Sequence, residues 1–405
     1  MSLLEALTMT TGLVYLILLL WQRRRGWGWT LSLLLAAVLW LLAADSVLWL
    51  ALGLVATGLA LWRRHQPLPI LASMDSQRLR TTTRQLLMLC WGLVAVQYVV
   101  HIEQLGPGMT PWLMRPDVVD GFLPIAGGLG LRAWLTQGLV DPHHPAATVT
   151  VLVLCLSALL LGRAFCAWFC PLGLVGEWLH GLRARLLPGE WTPPRWLDLV
   201  LRGQKFLVLA FLLFIVLIAV PTAALPGYLA SPYHQAADMK MGAFFFNLTL
   251  ISGLCLGWVL LLTAAFRQGF CRYLCPYGAW LALLGLLTPL RIRRDPARCL
   301  RNQGHDCDKC SRACPSRIQV HQLIAVRSLE CTSCMSCVAA CPKRADALHL
   351  GTRQRRLSPA WLLALLCLLL LVLPLLSHGL LDTWVSQTPL SDRAYLLQML
   401  PGLSH

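Results

Sequence analysis

The residues best suited to chemistry are cysteines, of which the chain has 16, eight of them between positions 299 and 341. Cys331, Cys334, Cys337 and Cys341, followed by Pro342, have the C-x2-C-x2-C-x3-C-P spacing that binds 4Fe-4S clusters. Three closely spaced thiolates hold one corner of a cluster, and in two-cluster sites the fourth thiolate crosses to the other cluster. This run predicts iron-sulfur binding.

A second run lies upstream, where Cys307, Cys310 and Cys314 precede Pro315 and Cys299 stands eight positions before Cys307. The C-x3-C-P ending favours a cluster over a zinc ribbon, which also uses C-x2-C pairs. With the fourth ligands exchanged, the predicted sets are Cys299, Cys307, Cys310 and Cys341 for one 4Fe-4S cluster and Cys331, Cys334, Cys337 and Cys314 for the other. If Cys299 does not reach the site, that cluster would lose an iron or take water as a ligand.

Two further cysteine pairs, Cys166 with Cys170 and Cys271 with Cys275, each end in C-x3-C-P and have similar flanking residues, which indicates an internal repeat. The i, i+4 spacing predicts that both thiols of a pair lie on one helix face. Three interpretations stay open: ligands of a further metal centre, a dithiol/disulfide relay, or cysteines that pack beside a helix-ending proline.

The composition places the chain in a membrane, because 57% of its residues are hydrophobic and 13% are charged. About 20 apolar residues cross a bilayer. Eight stretches fit this requirement, namely 7-22, 27-44, 47-62, 85-104, 147-163, 205-224, 244-266 and 360-380.

The net charge of +16 indicates membrane orientation and not nucleic-acid binding, because the basic residues cluster beside the spans. With eight spans and both termini outside, 30 of the 34 Lys and Arg residues fall on one face, which predicts that this face is cytoplasmic. The clustered cysteines lie on the same face, where a reducing compartment favours metal binding over disulfides.

The predicted fold is an all-α polytopic membrane helix bundle of about eight transmembrane helices with an inserted cytoplasmic α+β dicluster ferredoxin-like module. Four domains follow, namely an N-terminal three-helix membrane extension (1-62), a membrane core with the two C-x3-C-P repeats (85-290), the dicluster module (291-357), and a final transmembrane helix with an outer tail (358-405).

The motifs resemble the membrane-bound 4Fe-4S polyferredoxins of the NapH, NosR, MauN and CcoG kind, which share paired C-x3-C-P motifs and ferredoxin motifs. The resemblance covers about 85-380 and is closest at 162-166, 271-278 and 291-299. It implies transfer of electrons from quinol or cytoplasmic donors toward periplasmic reductases or metal-site maturation.

The chain departs from this family in three places. Seven residues separate Cys299 from Cys307 where the family usually has two, Leu123 precedes Pro124 where many members have cysteine, and no flavin-binding domain of the NosR kind is present. The spans in 1-62 lie outside the resemblance.

A ferredoxin-like module on one face of the membrane needs a second electron carrier to reach the other face, because about 30 Å of hydrocarbon lies between the two faces. A quinone, the cysteine pairs, or a haem or metal held by histidines would suit, and His101, His234 and His378 near predicted outer span ends are the candidate ligands.

The sequence therefore predicts a multi-pass protein of the bacterial inner membrane with two 4Fe-4S clusters, whose partners are the lipid bilayer, other electron-transfer proteins or subunits, and quinol, but not nucleic acid. A quinone-linked electron-transfer subunit of the quinol dehydrogenase type is the first hypothesis. The alternative is a membrane thiol or metal-ion reductase with the C-x3-C-P cysteines as its active site.

Overall fold

The computed structural model describes residues 76–106, 111, 113–187, 193–381 and 383–402. The spans predicted at 7-22, 27-44 and 47-62, and with them the N-terminal extension 1-62, lie outside the described residues.

Most of the described residues are helical. In chain order the α-helices are α1 (Ser76–Leu105), α2 (Pro124–Gln137), α3 (Pro145–Leu161), α4 (Ala164–Trp168), α5 (Pro171–Leu186), α6 (Arg195–Phe214), α7 (Leu225–Leu229), α8 (Pro232–Gln235), α9 (Ala237–Phe246), α10 (Leu250–Ala265), α11 (Gly269–Tyr273), α12 (Pro276–Leu284), α13 (Lys309–Arg312), α14 (Ser336–Ala340), α15 (Pro359–Cys367), α16 (Leu373–Leu381) and α17 (Leu390–Met399). Short 3-10 helices cover Asp117–Phe122, Thr222–Ala224, Val320–Gln322 and Leu400–Gly402, and π-helical turns cover Ile215–Ala219 and Leu368–Val372.

Three stretches of the described chain are long and apolar enough to cross a membrane, namely Ser76–Leu105, Trp196–Ala219 and Pro359–Gly379. Helices α9 and α10 make a fourth if they act as one span, and α3 is apolar but has only 17 residues. A mostly helical chain with helices fit for a membrane is therefore confirmed, whereas the total of eight spans stays a prediction.

The span predicted over 244-266 is not one continuous helix, because the chain bends by 78° between α9 and α10, and whether it crosses the membrane stays a prediction. The cause is local. Thr249 adopts an extended conformation, its side chain accepts a hydrogen bond from the Ser252 amide, and the Ser252 side chain accepts one from the Thr249 amide. This reciprocal capping box starts a new helix at Leu250.

The segment between α12 and α15 forms the α+β part of the molecule. Strands β1 (Arg291–Arg294), β2 (Leu348–Gly351) and β3 (Arg356–Leu357) form an antiparallel sheet in the order β1-β2-β3, with Ile292 opposite Leu350. The buried faces of β1 and β2 share one hydrophobic core with Leu161 of α3 and Trp168 of α4. The cysteine-rich segment is thus fixed to the helices by continuous apolar packing.

Candidate metal centres

Four cysteines from three parts of the 299–341 segment line one cavity. They are Cys299, Cys307, Cys310 and Cys341, the first ligand set predicted from the spacing. Residues 301–306 form an exposed loop, so the extra residues after Cys299 leave the site and return to it. The structure therefore brings Cys299 to the cavity despite its unusual distance from Cys307.

The environment of Cys299 favours a thiolate. Burial alone would raise the pKa of its thiol, but hydrogen bonds from the Arg294 guanidinium and from the amides of Arg301 and Asn302 outweigh burial and lower the pKa. A thiolate is the form that binds metal.

A second cavity is lined by the other predicted set, Cys314, Cys331, Cys334 and Cys337. Burial raises the pKa of Cys331 to about 12, and the neighbouring Cys334 and Cys314 also raise it, although the Ser333 amide donates to its sulfur. A bound metal cation reverses this preference, because a coordinating thiol loses its proton outright.

Both cavities have features that suit a 4Fe-4S cluster. Each has four sulfur atoms around one space, and backbone amides donate to several of these sulfurs, including those of Cys314 and Cys341. Hydrogen bonds to sulfur help to set cluster potentials. Cys310 of the first cavity and Cys337 of the second are close enough for their charges to interact, so the two cavities are neighbours.

The two C-x3-C-P repeats have the same backbone geometry, which corrects the prediction that each pair lies on one helix face. The helix that carries the first cysteine ends before the second one, and Cys170 and Cys275 adopt extended conformations (ψ 122° and 112°) as N-caps of the next helices. The cause is Pro171 or Pro276, because a residue before proline is disfavoured in the α conformation. In each repeat the pair therefore brackets a turn between two helices.

This geometry brings all four C-x3-C-P thiols together. Cys271 lies close enough to Cys166, Cys170 and Cys275 for each to raise its pKa, in addition to the larger effect of burial. Burial and the neighbouring thiols also raise the pKa of Cys170 to about 12 and that of Cys275 to about 11. The amide of Gly278 donates to Cys275 Sγ over 3.2 Å.

A buried cation accompanies this third group of thiols. Arg163, which is 3% exposed, lies near enough to Cys166, Cys271 and Cys275 to interact with their charges. Its Nη2 lies against Gly278, where a Cβ atom would be 3.1 Å away. A positive charge here would stabilise an anionic metal-thiolate centre.

The segment 329–336 of the module is held by side chains of the helices. Arg163 Nη1 donates to the Leu329 carbonyl oxygen, Trp168 Nε1 donates to that of Ser333 over 3.3 Å, and Gln77 Nε2 donates to that of Cys334 over 3.1 Å. Arg163 therefore lies near the third thiol group and also hydrogen-bonds the chain that leads into the second cavity.

The candidate histidines do not form a single site with the cysteines. His101 and His234 are buried, with His101 Nδ1 2.8 Å from the Leu113 carbonyl oxygen and His234 Nε2 2.8 Å from Asp141 Oδ2. His378 is half-buried on α16.

Sequence reasoning missed two kinds of residue. They are the buried charged residues Arg163, Lys205 and Glu330, and the buried histidine His144. A charged residue within an apolar stretch beside a cysteine motif was the available signal.

Two family comparisons match the cysteine-bearing parts of the chain. A 4Fe-4S binding domain matches twice, at residues 144–189 and 248–294, and so covers both C-x3-C-P repeats. A 4Fe-4S dicluster domain matches residues 291–342, which carry the other eight clustered cysteines. Together with the three groups of thiols, these matches define the chain as a 4Fe-4S protein of the ferredoxin type.

The chain is also similar to individual electron-transport and ferredoxin-type proteins. The putative electron transport protein YccM of Escherichia coli is 42% identical over 237 residues, which cover 58% of this chain and 64% of YccM. The ferredoxin-type protein NapH of Haemophilus influenzae is 23% identical over 273 residues (63% and 87%), and the methylamine utilization ferredoxin-type protein MauN of Methylobacillus flagellatus is 28% identical over 247 residues (54% and 80%).

The chain is similar to 4Fe-4S ferredoxin-type proteins of the NapH and MauN kind, which confirms the resemblance predicted from its cysteine motifs. The aligned region spans less than two thirds of YccM. No solved structure matches the chain.

Proposed function

We propose that the chain is an integral membrane electron-transfer protein with three 4Fe-4S clusters, one in each cavity of the module and a third held by Cys166, Cys170, Cys271 and Cys275. The observation that carries the third site is the convergence of these four half-buried cysteines beside Arg163. The match of a 4Fe-4S binding domain to both repeats supports it.

The surroundings of these thiols favour metal ligation over a dithiol relay. Reactive thiols need an accessible position and a lowered pKa. Here burial raises the pKa of Cys170, Cys271 and Cys275, which keeps a metal-free thiol protonated. Iron would displace these protons, because metal binding to cysteine releases them.

The contacts suggest an order for the three centres. Arg163 joins the third thiol group to the chain beside Cys331, and the interaction of Cys337 with Cys310 joins the second cavity to the first. Electrons would pass between the membrane helices and the first cavity through the second.

The first cavity is the suitable point for exchange with a soluble partner, because it lies beside the exposed loop 301–306. Exposed basic residues lie beside it, namely Lys309, which lines the cavity, and Arg301 and Arg312, which pair with Asp306 and Asp308. A partner with an acidic docking face would therefore be attracted to this end.

We also propose that the other end of the relay exchanges electrons with a quinone in a bacterial inner membrane, and that the module faces the cytoplasm. The apolar helices and the basic residues of the module side support this placement. The acceptor would be a respiratory reductase or a metal-site maturation system.

Iron and acid-labile sulfide per chain, measured after anaerobic purification, test the number of clusters. Three clusters give about twelve irons per chain and two give about eight. The double variant C170S/C275S should then lose about four irons while the redox-titrated EPR signals of the module remain. Cys255→Ser is the matched control, because Cys255 is an exposed cysteine outside the three groups.

Two results would overturn the third cluster. One is a wild-type protein with about eight irons, and the other is a C170S/C275S variant with unchanged iron. If the variant keeps its iron but loses the trapping of a mixed disulfide with a small thiol reagent, the alternative thiol reductase is favoured instead.

A further inference from the structure

The side chain of Ser311 lies at the junction of the two cavities of the module. Ser311 follows Cys310, which lines the first cavity and is the cysteine whose charge reaches Cys337 of the second cavity. Ser311 and Cys310 are both buried. Because buried polar groups are normally hydrogen-bonded, the partners of this hydroxyl show what the serine does.

His321 supplies two of these partners. It lies in the 3-10 helix Val320–Gln322, whose first residue, Val320, lines the second cavity. The His321 amide donates to Ser311 Oγ over 3.1 Å, and His321 Nδ1 lies 2.7 Å from the same oxygen. This 3-10 helix is thus joined to α13 through one serine oxygen, and the His321 side chain is buried with it.

The third partner of the hydroxyl is the sulfur of Cys310. Burial raises the pKa of the Cys310 thiol, and it outweighs the hydrogen bonds from the hydroxyl and amide of Ser311, which lower the pKa. A donor that stabilises a free thiolate also stabilises an iron-bound thiolate, because both sulfurs carry negative charge.

A count of hydrogens shows that the hydroxyl can serve only one acceptor. A serine hydroxyl has one hydrogen to donate and two lone pairs that accept. The His321 amide occupies one lone pair. The hydrogen then points either to His321 Nδ1 or to Cys310 Sγ, and when it points to sulfur, a hydrogen on Nδ1 occupies the second lone pair.

A bound cluster favours the arrangement in which the hydroxyl points to sulfur. Hydrogen bonds to an ionised acceptor are roughly twice as strong as those between neutral groups. The iron-bound thiolate of Cys310 would be such an acceptor, whereas a neutral imidazole nitrogen is not. The donors are then Nδ1–H of His321 toward Ser311 Oγ, and O–H of Ser311 toward Cys310 Sγ.

The second ferredoxin motif has no counterpart of this hydroxyl. Cys310 and Cys337 each begin a C-x3-C-P ending, and the residue that follows is Ser311 in the first motif but Val338 in the second. A valine side chain has no hydrogen to donate. The two cavities therefore differ at one equivalent position beside a ligand sulfur.

We propose that Ser311 donates a hydrogen bond to Cys310 and thereby raises the reduction potential of the cluster in the first cavity, with His321 as the positioning residue that orients the serine. The inference rests on the proposed 4Fe-4S clusters. Reduction adds negative charge to a cluster and its ligand sulfurs, so a donor to one sulfur favours the reduced form. The hydrogen bond shifts the electron toward the first cavity, the end proposed to meet a soluble partner.

Redox-titrated EPR of the full-length protein, purified anaerobically in detergent, tests this role. The signal of the first cluster is the one that Cys307→Ser removes or shifts. Ser311→Ala should lower the equilibrium constant for reduction of this cluster about tenfold, or roughly 60 mV, and leave the other clusters nearly unchanged. Ser157→Ala is the matched control, because Ser157 is a buried serine whose hydroxyl donates to the Leu154 carbonyl oxygen.

Two variants of His321 separate the hydrogen bond from any charge on the ring. His321→Leu removes the donor to Ser311 Oγ and should lower the potential of the first cluster by less than Ser311→Ala does, because the serine hydroxyl remains. His321→Asn keeps a side-chain N–H without a charge and should keep the potential close to that of the wild type. Both variants retain Ser311, so they decide the matter if Ser311→Ala does not fold.

A spectroscopic signature of the hydroxyl hydrogen completes the test. Electron-nuclear double resonance of the reduced first cluster, in H2O and in D2O, should detect an exchangeable hydrogen beside Cys310 Sγ. Ser311→Ala should lack this hydrogen, whereas a serine with a purely structural role would leave the spectrum unchanged.

Three results would overturn the proposal. They are an unchanged first-cluster potential in Ser311→Ala, an unchanged or higher potential in His321→Leu, and a potential in His321→Asn as low as in His321→Leu. The higher potential would mean that Ser311 donates to Nδ1 and not to sulfur, and the low His321→Asn potential would assign the effect to charge. A wild-type protein without any 4Fe-4S signal would instead refute the proposed clusters.

Discussion

The ammonium nitrogen of Lys205 lies 2.6 Å from Oε1 of Glu330, and the Lys205 side chain is fully buried. Lys205 comes from the apolar helix α6, and Glu330 immediately precedes Cys331 of the second cavity. This ion pair fixes the ligand-bearing segment of the module to the membrane helices.

Replacing Lys205 by Met should destabilise the protein by about 3–5 kcal/mol, because it leaves Glu330 buried without its hydrogen-bonded cation. The measurement is the unfolding transition in detergent, followed by loss of cluster absorbance. The double variant K205M/E330M should regain most of the stability, since an apolar pair can replace a buried ion pair. Equal losses in the single and double variants would contradict a charge effect, and Arg185→Met, at an exposed position of α5, is the control.

Replacing Arg163 by Gln should lower the reduction potentials of the third cluster and of the cluster at Cys331, because the added electron loses a nearby positive charge. A tenfold change in the equilibrium constant of a one-electron reduction corresponds to a change in reduction potential of roughly 60 mV. Redox-titrated EPR measures the shift. Arg163→Lys keeps the charge and should shift the potentials less, whereas Arg132→Gln, which loses hydrogen bonds to the Val216 and Val220 carbonyl oxygens, should not shift them. Unchanged potentials in Arg163→Gln would place this charge away from the centres.

Alanine at Gly173 should disturb the third thiol group more than alanine at Gly278. A Cβ atom at Gly173 would lie 2.9 Å from the Cys166 carbonyl oxygen, which is backbone, whereas at Gly278 the nearest atom is Arg163 Nη2 at 3.1 Å, which belongs to a flexible side chain. Overpacking of this kind costs about 1–3 kcal/mol. The check is iron content and thermal stability of both variants, and a larger loss in Gly278→Ala would refute the ranking.

Cys299→Ser should affect only the cluster of the first cavity, with loss of about one to four irons per chain. The second set of thiols lines a separate cavity, so its EPR signal should persist. Retention of all iron would mean that Cys299 is not a ligand, and Cys255→Ser again serves as the control.

The buried pair of His144 and Asp120, whose Nδ1 and Oδ1 atoms lie 3.1 Å apart, predicts a pH dependence of stability. Burial alone lowers the pKa of His144, but the charge of Asp120 and its hydrogen bond outweigh burial and raise the pKa above the ordinary value of 6.5. The folded state then binds a proton more tightly than the unfolded state, so this stabilisation is complete below about pH 6.5 and is lost as pH rises through the folded pKa. Thermal unfolding of His144→Gln should lack this decline with pH. An identical decline in the variant would assign it to another group.

Many of the candidate metal-binding residues could be predicted from the sequence. The spacing of the eight cysteines predicted two sets of four with exchanged fourth ligands, and the structure brings both sets together around separate cavities. Local spacing suffices here, because three ligands of each site lie within a few residues and the following proline redirects the chain. The internal repeat was also visible, and its two halves share one backbone geometry.

Two features of the structure differ from what local sequence patterns predicted. The i, i+4 spacing of the C-x3-C-P thiols suggested a continuous helix, but Pro171 and Pro276 hold the preceding cysteines in extended conformations. The break between α9 and α10 depends on reciprocal capping by Thr249 and Ser252, which an apolar pattern does not reveal.

Only the tertiary structure decided which distant groups meet. Arg163 and Leu329 are 166 positions apart, Lys205 and Glu330 are 125 apart, and His234 and Asp141 are 93 apart. Periodicity and spacing act over a few turns of chain, so they predict which residues bind together within one motif. Contacts between motifs depend on how helices pack, and it is this packing that sets a cation between two cysteine groups and pairs a histidine with a buried carboxylate.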